Sequence, residues 1–445
     1  MDEIYILELI EEKKYLQLKK ILEEMNEVDI AEILDDLDLH TALLIFRMLP
    51  KDLAVEVFAH FSIEKQRDIV SSITDKELNY IIEELFFDDM IDMLEEMPAN
   101  IVNKILSRAT KEERELINQF LKYPPDSAGS IMTIEYVELK KTMTVREAMA
   151  HIKETGLMKE TVYTCYVIDR NRKLEGIVSL RNLVTSDERI LIEDLMEEDI
   201  IYVETHDDQE KAANIFIKYG LIALPVVDKE GRLTGIITVD DIMDVMETEA
   251  TEDFQRMAAI APSETPYLET RVVELAKHRI IWLLILMVSA TISGAIITNY
   301  ENVLSSVVIL TSFLPMLMDT SGNAGSQSST LIVRGLATGE IELIDAPKVL
   351  WKEFRISLTV GTTLAVINFA RLLFIEKASY AISGLVSVTL IFAVVIAKVI
   401  GGILPIAAKK VKLDPAIMAG PLITTIADAL SLIVYFSIAS AIFNI

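Results

Sequence analysis

The sequence predicts a multidomain membrane protein: an all-α superhelical N-terminal domain, an α/β tandem module and a connecting helix, followed by a five-span α-helical transmembrane domain. Three observations carry this reading. Charge is concentrated in the earlier part of the chain, long apolar stretches are confined to the later part, and one strand-and-helix pattern occurs twice at a fixed spacing. Residues 273–445 hold 12 of the 42 lysines and arginines and 10 of the 69 acids, so residues 1–272 carry 30 basic against 59 acidic groups, a formal charge of about −29. Such a block repels nucleic acid and collects cations, although acidic composition also serves plain solubility. The single cysteine, Cys165, excludes an intrachain disulfide and fits a reducing compartment. The opening MDEIYILELIEEKK is acidic and amphipathic, where a targeting peptide would be basic and then uniformly apolar.

Residues 1–130 read as the helical domain. Apolar residues recur at helical spacing in IAEILDDLDLHTALLIFRMLP, LAVEVFAHFS and YIIEELFFDDMIDMLEEMP, and Pro50 and Pro98 punctuate them. Short helices with frequent stops predict a stacked or superhelical array. The histidines are dispersed, and His40, His60 and His151 read as surface or packing residues rather than metal ligands.

Residues 131–246 contain the repeat. CYVIDRNRKLEGIVSLRNL at 165–183 matches LPVVDKEGRLTGIITVDDI at 224–242, pairing Asp169 with Asp228, Gly176 with Gly235 and Ser179 with Thr238. Each copy reads as strand, polar turn, strand and helix, preceded by an amphipathic helix around 145–154 or 208–219. The pair resembles a tandem cystathionine-β-synthase (CBS) module, whose clefts bind adenine nucleotides or metals in some members. The ribose-binding Ser/Thr-x-x-Asp pattern of that family is present as Thr238 to Asp241, whereas Asn182 replaces the acid in the first copy. An ATP site in the second copy and a regulatory scaffold without nucleotide both remain open, because a shared fold does not carry a shared site.

The connecting segment, 247–272, continues an acidic run. TVDDIMDVMETEATEDFQRM places Asp240, Asp241, Asp244, Glu247, Glu249, Glu252 and Asp253 close together. On a helix Asp240, Asp244 and Glu247 share one face, and Glu249 meets Glu252 and Asp253 on another. Like charges so placed destabilise a helix unless a cation or basic partner compensates, and a hard divalent ion is one such cation. A solvated helix face is the plainer description of any single acid. A second acidic group, Asp88, Asp89 and Asp92, could face the run across a domain interface.

Five spans are expected within 273–445: Ile280 to Thr298, Val303 to about Val333, Ile356 to Ile375, Ala378 to Ala397 with a tail to Ala408, and Ala416 to Phe443. The polar run from Asp319 to Thr330 is expected to face protein or water rather than lipid. Lys277, Arg279, Arg334, Lys348, Lys352, Arg355, Lys409, Lys410 and Lys412 fall on one side, against Arg371 and Lys377 on the other. The positive-inside rule then predicts a cytoplasmic N-terminal half and an outside C-terminus. Asp428 is the only charge after Asp414 and lies near the middle of the last span. A bare acid there costs about 2.5 to 3.5 kcal/mol on insertion scales, so it faces a water-filled path or a partner; Lys398 and Arg371 are the alternatives as salt-bridge cations. Pro421, Thr424, Thr425 and Asp428 recur on one helical face, and Pro421 is expected to free the carbonyl of Ile417 toward a cavity. The run from Gly322 to Gln327 supplies small residues for close packing and amides for water contact.

This domain order, with YPPDSAGSIMT at 123–133, EATEDF at 249–254, SGNAGSQSSTLIVRGLATGE at 321–340 and LDPAIMAGPLITTIADAL at 413–430, resembles the MgtE family of magnesium channels and transporters. The resemblance implies a homodimer in the plasma (inner) membrane, with the second and fifth spans lining a pore on the dimer axis and Asp428 binding Mg²⁺. It further implies that cytosolic Mg²⁺ bridges the soluble domains and the connecting, or plug, helix to hold the pore shut. The regulatory ligands carried over by motif are Asp88, Asp92, Glu210, Asp241, Asp244, Glu249, Glu252, Asp253 and Asp414, with Glu56 and Gly129 as further positions.

Two other classes are weighed by the residues themselves. A CBS-regulated secondary transporter of another divalent cation or a small solute is one alternative; if it carried an anion, it would place a basic group near the middle of the second or fifth span, where the chain has a carboxylate. A membrane-bound enzyme would need a nucleophile with a histidine base or a His-rich metal cluster, and none is apparent.

Overall fold

The computed structural model describes residues 3–106, 109–263, 267–268 and 270–444, which fall into two compact units, Met1–Val245 and Met246–Ile445. The first begins with ten short helices among the described residues, from α1 (Glu3–Glu11) to α10 (Lys111–Phe120). Their starts are written in the chain. Asn26 caps α3 (Glu27–Asp35), Asp38 caps α4 (Leu39–Phe46), Ser62 caps α6 (Ile63–Ser72), and Thr74 with Glu77 forms a capping box on α7 (Asp75–Glu84). Each helix is too short to stand alone, so stability comes from packing. Contacts run from α3 to α5 (Lys51–Ala59), α4 to α6, α5 to α7, and α6 to α8 (Phe87–Glu96), the pattern of a superhelical stack. Phe46, Phe58 and Phe61 meet at ring separations of 5.9 to 6.4 Å in its core.

The repeat folds as two like modules. In the first, β1 (Tyr136–Leu139) pairs parallel with β2 (Thr161–Ile168), and β2 antiparallel with β3 (Leu174–Ser179); α11 (Val145–Thr155) makes the crossover and α12 (Leu180–Thr185) follows. In the second, β4 (Val203–Glu204), β5 (Ala223–Val227) and β6 (Leu233–Thr238) repeat that order and those directions, with α13 (Gln209–Tyr219) as crossover. The polar turns of the two hairpins bond to each other, Leu233 N to Arg172 O at 2.9 Å and Leu174 N to Gly231 O at 3.1 Å. After β6 comes α14 (Val239–Met257), whose first turns belong to the first unit and the rest to the second. Of the connecting segment 247–272, helix covers residues up to Met257. Ala259 then takes φ +55° and Ile260 bonds back to Gln255 O, which ends the helix; residues 264–266 and 269 lie outside the described residues.

In the second unit, four helical segments among the described residues are long and apolar enough to cross a membrane: Val272–Asn299, Leu343–Phe374, Tyr380–Lys410 and Pro415–Phe443. The main helices of these segments are α15 (Val272–Asn299), α18 (Ala346–Phe374), α19 (Tyr380–Lys410) and α20 (Pro421–Phe443). The stretch expected as the second span is divided into α16 (Glu301–Ser306), a 3₁₀ segment Val308–Phe313 and α17 (Leu314–Ala337). Its 24-residue helix carries the polar run that keeps it from matching the other four in hydropathy. Gly325 of α17 packs against Ile423 of α20 and the Ala397 carbonyl of α19, and Gly401 of α19 packs against the Gly325 carbonyl. A Cβ on Gly401 would fall 2.3 Å from that oxygen, so the α17–α19 crossing admits no side chain there.

Candidate ion-binding sites

The apolar stretch containing Asp428 is not one helix. Asp414 caps a 3₁₀ turn, Pro415–Met418, and α20 begins afresh at Pro421 after Gly420 at φ +47°. Pro421 therefore starts a helix instead of interrupting one, and the expected loss of a helical bond to Ile417 does not arise. The Thr424 and Thr425 hydroxyls donate to the carbonyls of Gly420 and Pro421 in their own first turn, at 3.1 and 3.0 Å. Asp428, two turns into the helix, is half-buried and lies 3.2 Å from Ser321 Oγ of α17, whose single proton it shares with the Met318 carbonyl at 2.9 Å. The two alternative cations are engaged elsewhere. Arg371 pairs with Glu376 at 2.8 Å, and Lys398, buried rather than extended to the interface, donates to Ser328. On α17 the residues Asp319, Asn323 and Gln327, spaced four apart, are exposed and share one face. Gly322 and Gly325 of the same run point inward, to Thr424 and Ile423. The run thus divides into packing glycines and outward amides.

A second group surrounds the end of α14. Arg256 donates to both Glu252 and Asp414, which places a basic partner between two expected ligands. Burial, then the charges of Asp414 and Glu249, push the nearby Asp253 carboxyl up to about 6, with Arg256 opposing them. The Met257 carbonyl lies against Gly420; a Cβ added there would stand 2.5 Å from it.

The third group lies in the first unit. Asp88 of α8 is 9% exposed and its Oδ1 has no hydrogen-bond partner. Burial, followed by the charges of Asp241 and Asp89, pushes its carboxyl up to about 9. Burial and Asp241 push Asp89 up to about 6, and burial with Asp240 and Asp241 pushes Glu160 up to about 7. Burial also raises Asp241, against the pull of its bond from Thr238. An orphaned, buried carboxylate oxygen among other acids fits a hard divalent cation, which takes oxygen ligands. Among the remaining expected ligands Asp92, Asp244 and Glu56 are exposed, Glu210 and Glu249 are half-buried, and Gly129 is buried with its N–H on Thr205 O at 2.9 Å. Among the described residues, no three histidine, cysteine or carboxylate groups converge closely enough to hold a metal by themselves.

Glu160 and Arg256 are absent from the expected ligand set. Glu160 arrives through the fold, with no spacing signal; Arg256 stands four residues after Glu252 and was visible as an ion-pair spacing. The Thr238 hydroxyl donates to Asp241 at 2.6 Å, and its N–H at 3.3 Å, at the start of α14. Ser179 accepts from Asn182 N at the start of α12. The proposed ribose pattern therefore also serves, in both copies, to begin a helix.

The raised acids set a pH dependence. Each has a folded value above its unfolded one, so the stabilisation is complete below about pH 4 and is lost as pH rises through about 6 to 9. In chelator, the first unit of the full-length protein is expected to melt at lower temperature at pH 8 than at pH 5. Mg²⁺ should oppose the fall, and Asp88→Asn should flatten it. Calorimetry at the two pH values checks this; an unchanged slope in Asp88→Asn would remove Asp88 from the site.

Three family profiles cover the chain: the MgtE intracellular N domain over residues 25–126, CBS domains over 128–188 and 192–248, and MgtE, described as a divalent cation transporter, over 314–438. The magnesium transporter MgtE of Thermus thermophilus is 35% identical over 442 residues, covering 98% of this chain and 97% of that protein. Its counterpart from Bacillus subtilis is 31% identical over 437 residues, 98% and 96% of the two chains. The crystal structure of the cytosolic domain of the Mg²⁺ channel MgtE in complex with ATP superposes with a TM-score of 0.52 at 34% identity, covering 55% of this chain and all of that one. The soluble part of a magnesium transporter gives 0.52 at 30% identity, over 56% and 98%. With near full-length similarity and each profile falling on its own part of the fold, the chain belongs to the MgtE family of divalent cation transporters.

Proposed function

We propose that this protein is a homodimeric magnesium channel that admits Mg²⁺ to the cytoplasm across the plasma (inner) membrane and is held shut by cytosolic Mg²⁺. One observation carries the pore reading: Asp319, Asn323 and Gln327 of α17 lie uncovered in a helix packed among apolar spans, while Ser321 of the same helix reaches Asp428 of α20. A lipid-facing polar stripe is costly, and a second copy enclosing a water-filled path would relieve that cost. Mg²⁺ dehydrates reluctantly and is commonly held by one or two carboxylates with its waters, so one Asp428 from each of two chains suits it. The N-terminal half would lie in the cytoplasm and the C-terminus outside.

Gating would use Asp88, Asp92, Glu210, Asp241, Asp244, Glu249, Glu252, Asp253 and Asp414, with Glu56 and Gly129 as further positions. Support comes from the raised acids beside the orphaned oxygen of Asp88, and from Arg256, whose guanidinium bonds both Glu252 and Asp414. ATP is proposed for the second CBS copy, near Thr238 and Asp241, on the likeness to the ATP complex.

The test is uptake into liposomes by purified full-length protein, comparing Mg²⁺, Mn²⁺, Co²⁺ and Ni²⁺ under an imposed gradient. Uptake is expected to favour Mg²⁺ and to fall as Mg²⁺ on the cytosolic side rises. Uptake that is insensitive to cytosolic Mg²⁺ would overturn the gating reading; absence of divalent uptake would overturn the channel reading.

A further inference from the structure

One polar group in the membrane unit lies away from the uncovered face. Ser328 of α17, Glu353 of α18 and Lys398 of α19 are 1%, 5% and 5% exposed. Ser328 Oγ stands 2.5 Å from Glu353 Oε2, and Lys398 Nζ donates to the same Oγ at 3.2 Å. A hydroxyl has one proton, and the Ala324 carbonyl at 3.5 Å is the poorer acceptor. Ser328 therefore donates to Glu353 and accepts from Lys398, joining a carboxylate to an ammonium through one oxygen. Each group comes from a different helix. The junction also sits at the tight crossing of α17 and α19, where a Cβ on Gly401 would meet Gly325 O at 2.3 Å and Ser328 Cβ at 3.1 Å.

Burying two opposite charges is expensive, and an apolar trio of similar volume would fill the space without that cost. What the charges add is direction: α17 is fixed in rotation and in height by hydrogen bonds from both sides. Ser328 follows Ser321 by two helical turns, about 10 Å along the axis. A slip of α17 at the junction would therefore displace Ser321 from Asp428.

We infer that Glu353, Ser328 and Lys398 form a buried charge-paired clamp, off the ion path, that holds α17 against α18 and α19 in the register that sets Ser321 beside Asp428. Glu353 and Lys398 are positioning residues; neither touches the ion. The inference rests on the reading of Asp428 as the residue that meets the ion. It makes a non-additive prediction, because removing one charge strands the other, whereas removing both strands neither.

The experiment measures Mg²⁺ uptake into liposomes by full-length Glu353→Gln, Lys398→Met and the double variant, with the rate taken per inserted protein and the half-saturating Mg²⁺ concentration recorded. Each single variant is expected to lose about tenfold or more in maximal rate, and the double variant to return to within about threefold of wild type. Should a single variant fail to insert, recovery of insertion by the double reads the same pairing. A double variant no better than the worse single, or single variants at wild-type rate, overturns the clamp. A rise in half-saturation confined to Glu353→Gln and left unrepaired in the double would instead make Glu353 an ion ligand. Asp428→Asn is measured alongside: wild-type uptake in that variant would sink the pore reading by itself, while the comparison of single and double variants is scored independently.

Discussion

Asp428→Asn, inserted at the wild-type level, is expected to lose Mg²⁺ uptake by more than tenfold while keeping its fold. The substitution preserves shape and one acceptor oxygen, so the bond from Ser321 at 3.2 Å can survive. What disappears is the negative charge, the one feature of the site that attracts a hydrated divalent cation into an otherwise apolar span. A loss of only about 1.4 kcal/mol in ion stabilisation already gives the tenfold fall. Folding should improve slightly, since the variant buries an amide where the native chain buries an acid. The check is uptake beside a thermal melt in detergent. Wild-type uptake in the variant would remove Asp428 from the path and make the exposed Asp319 of α17 the next acid to test.

Replacing Asp88, Asp244, Glu249 and Glu252 together by their amides is expected to abolish closure by cytosolic Mg²⁺ while leaving uptake at low Mg²⁺ intact. A shift from 1:99 to 99:1 between open and closed states requires about 5.5 kcal/mol of differential binding. Several modest sites sum to this more readily than one, and the acids fall into two separate groups, around Asp88 and around Arg256. In the variant Asp253 and Asp414 remain, with Arg256 still able to bond Asp414. The local contact at the end of α14 is thus kept while its Mg²⁺ dependence is removed. Protease protection of the first unit and uptake across a Mg²⁺ titration are the two readouts. Dependence on Mg²⁺ unchanged in both would sink the sensor reading and leave the pore reading in place.

The parts of the fold legible in the sequence are those set by local pattern. The two CBS copies were visible because period-two strands and polar turns recur at one spacing, and the short N-terminal helices because apolar residues recur at helical spacing between stops such as Pro50 and Pro98. The place of Asp428 within the last apolar run was legible from hydropathy alone. Residues brought together by tertiary packing were not: Ser321 meets Asp428 across 107 positions, and Glu160 joins Asp88 and Asp89 only once the modules have folded. The partner of Lys398 was not legible: long cations near span ends usually reach the interface, but here the ammonium stays inside and donates to a serine that itself bonds a glutamate on a neighbouring helix. Pro421 misled, because hydropathy sees a continuous apolar run where Gly420 at φ +47° breaks the backbone and a new helix begins.

That same glycine has a mechanical meaning. With no Cβ at Gly420, the Met257 carbonyl at the end of α14 rests against the first turn of α20, and Arg256 ties the same end to Asp414 six residues upstream of Gly420. The turn at Gly420, the ion pair to Asp414 and the backbone contact from Met257 thus meet at the root of α20, so a displacement of the end of α14 would reach the helix that bears Asp428 through one ion pair and one bare backbone contact.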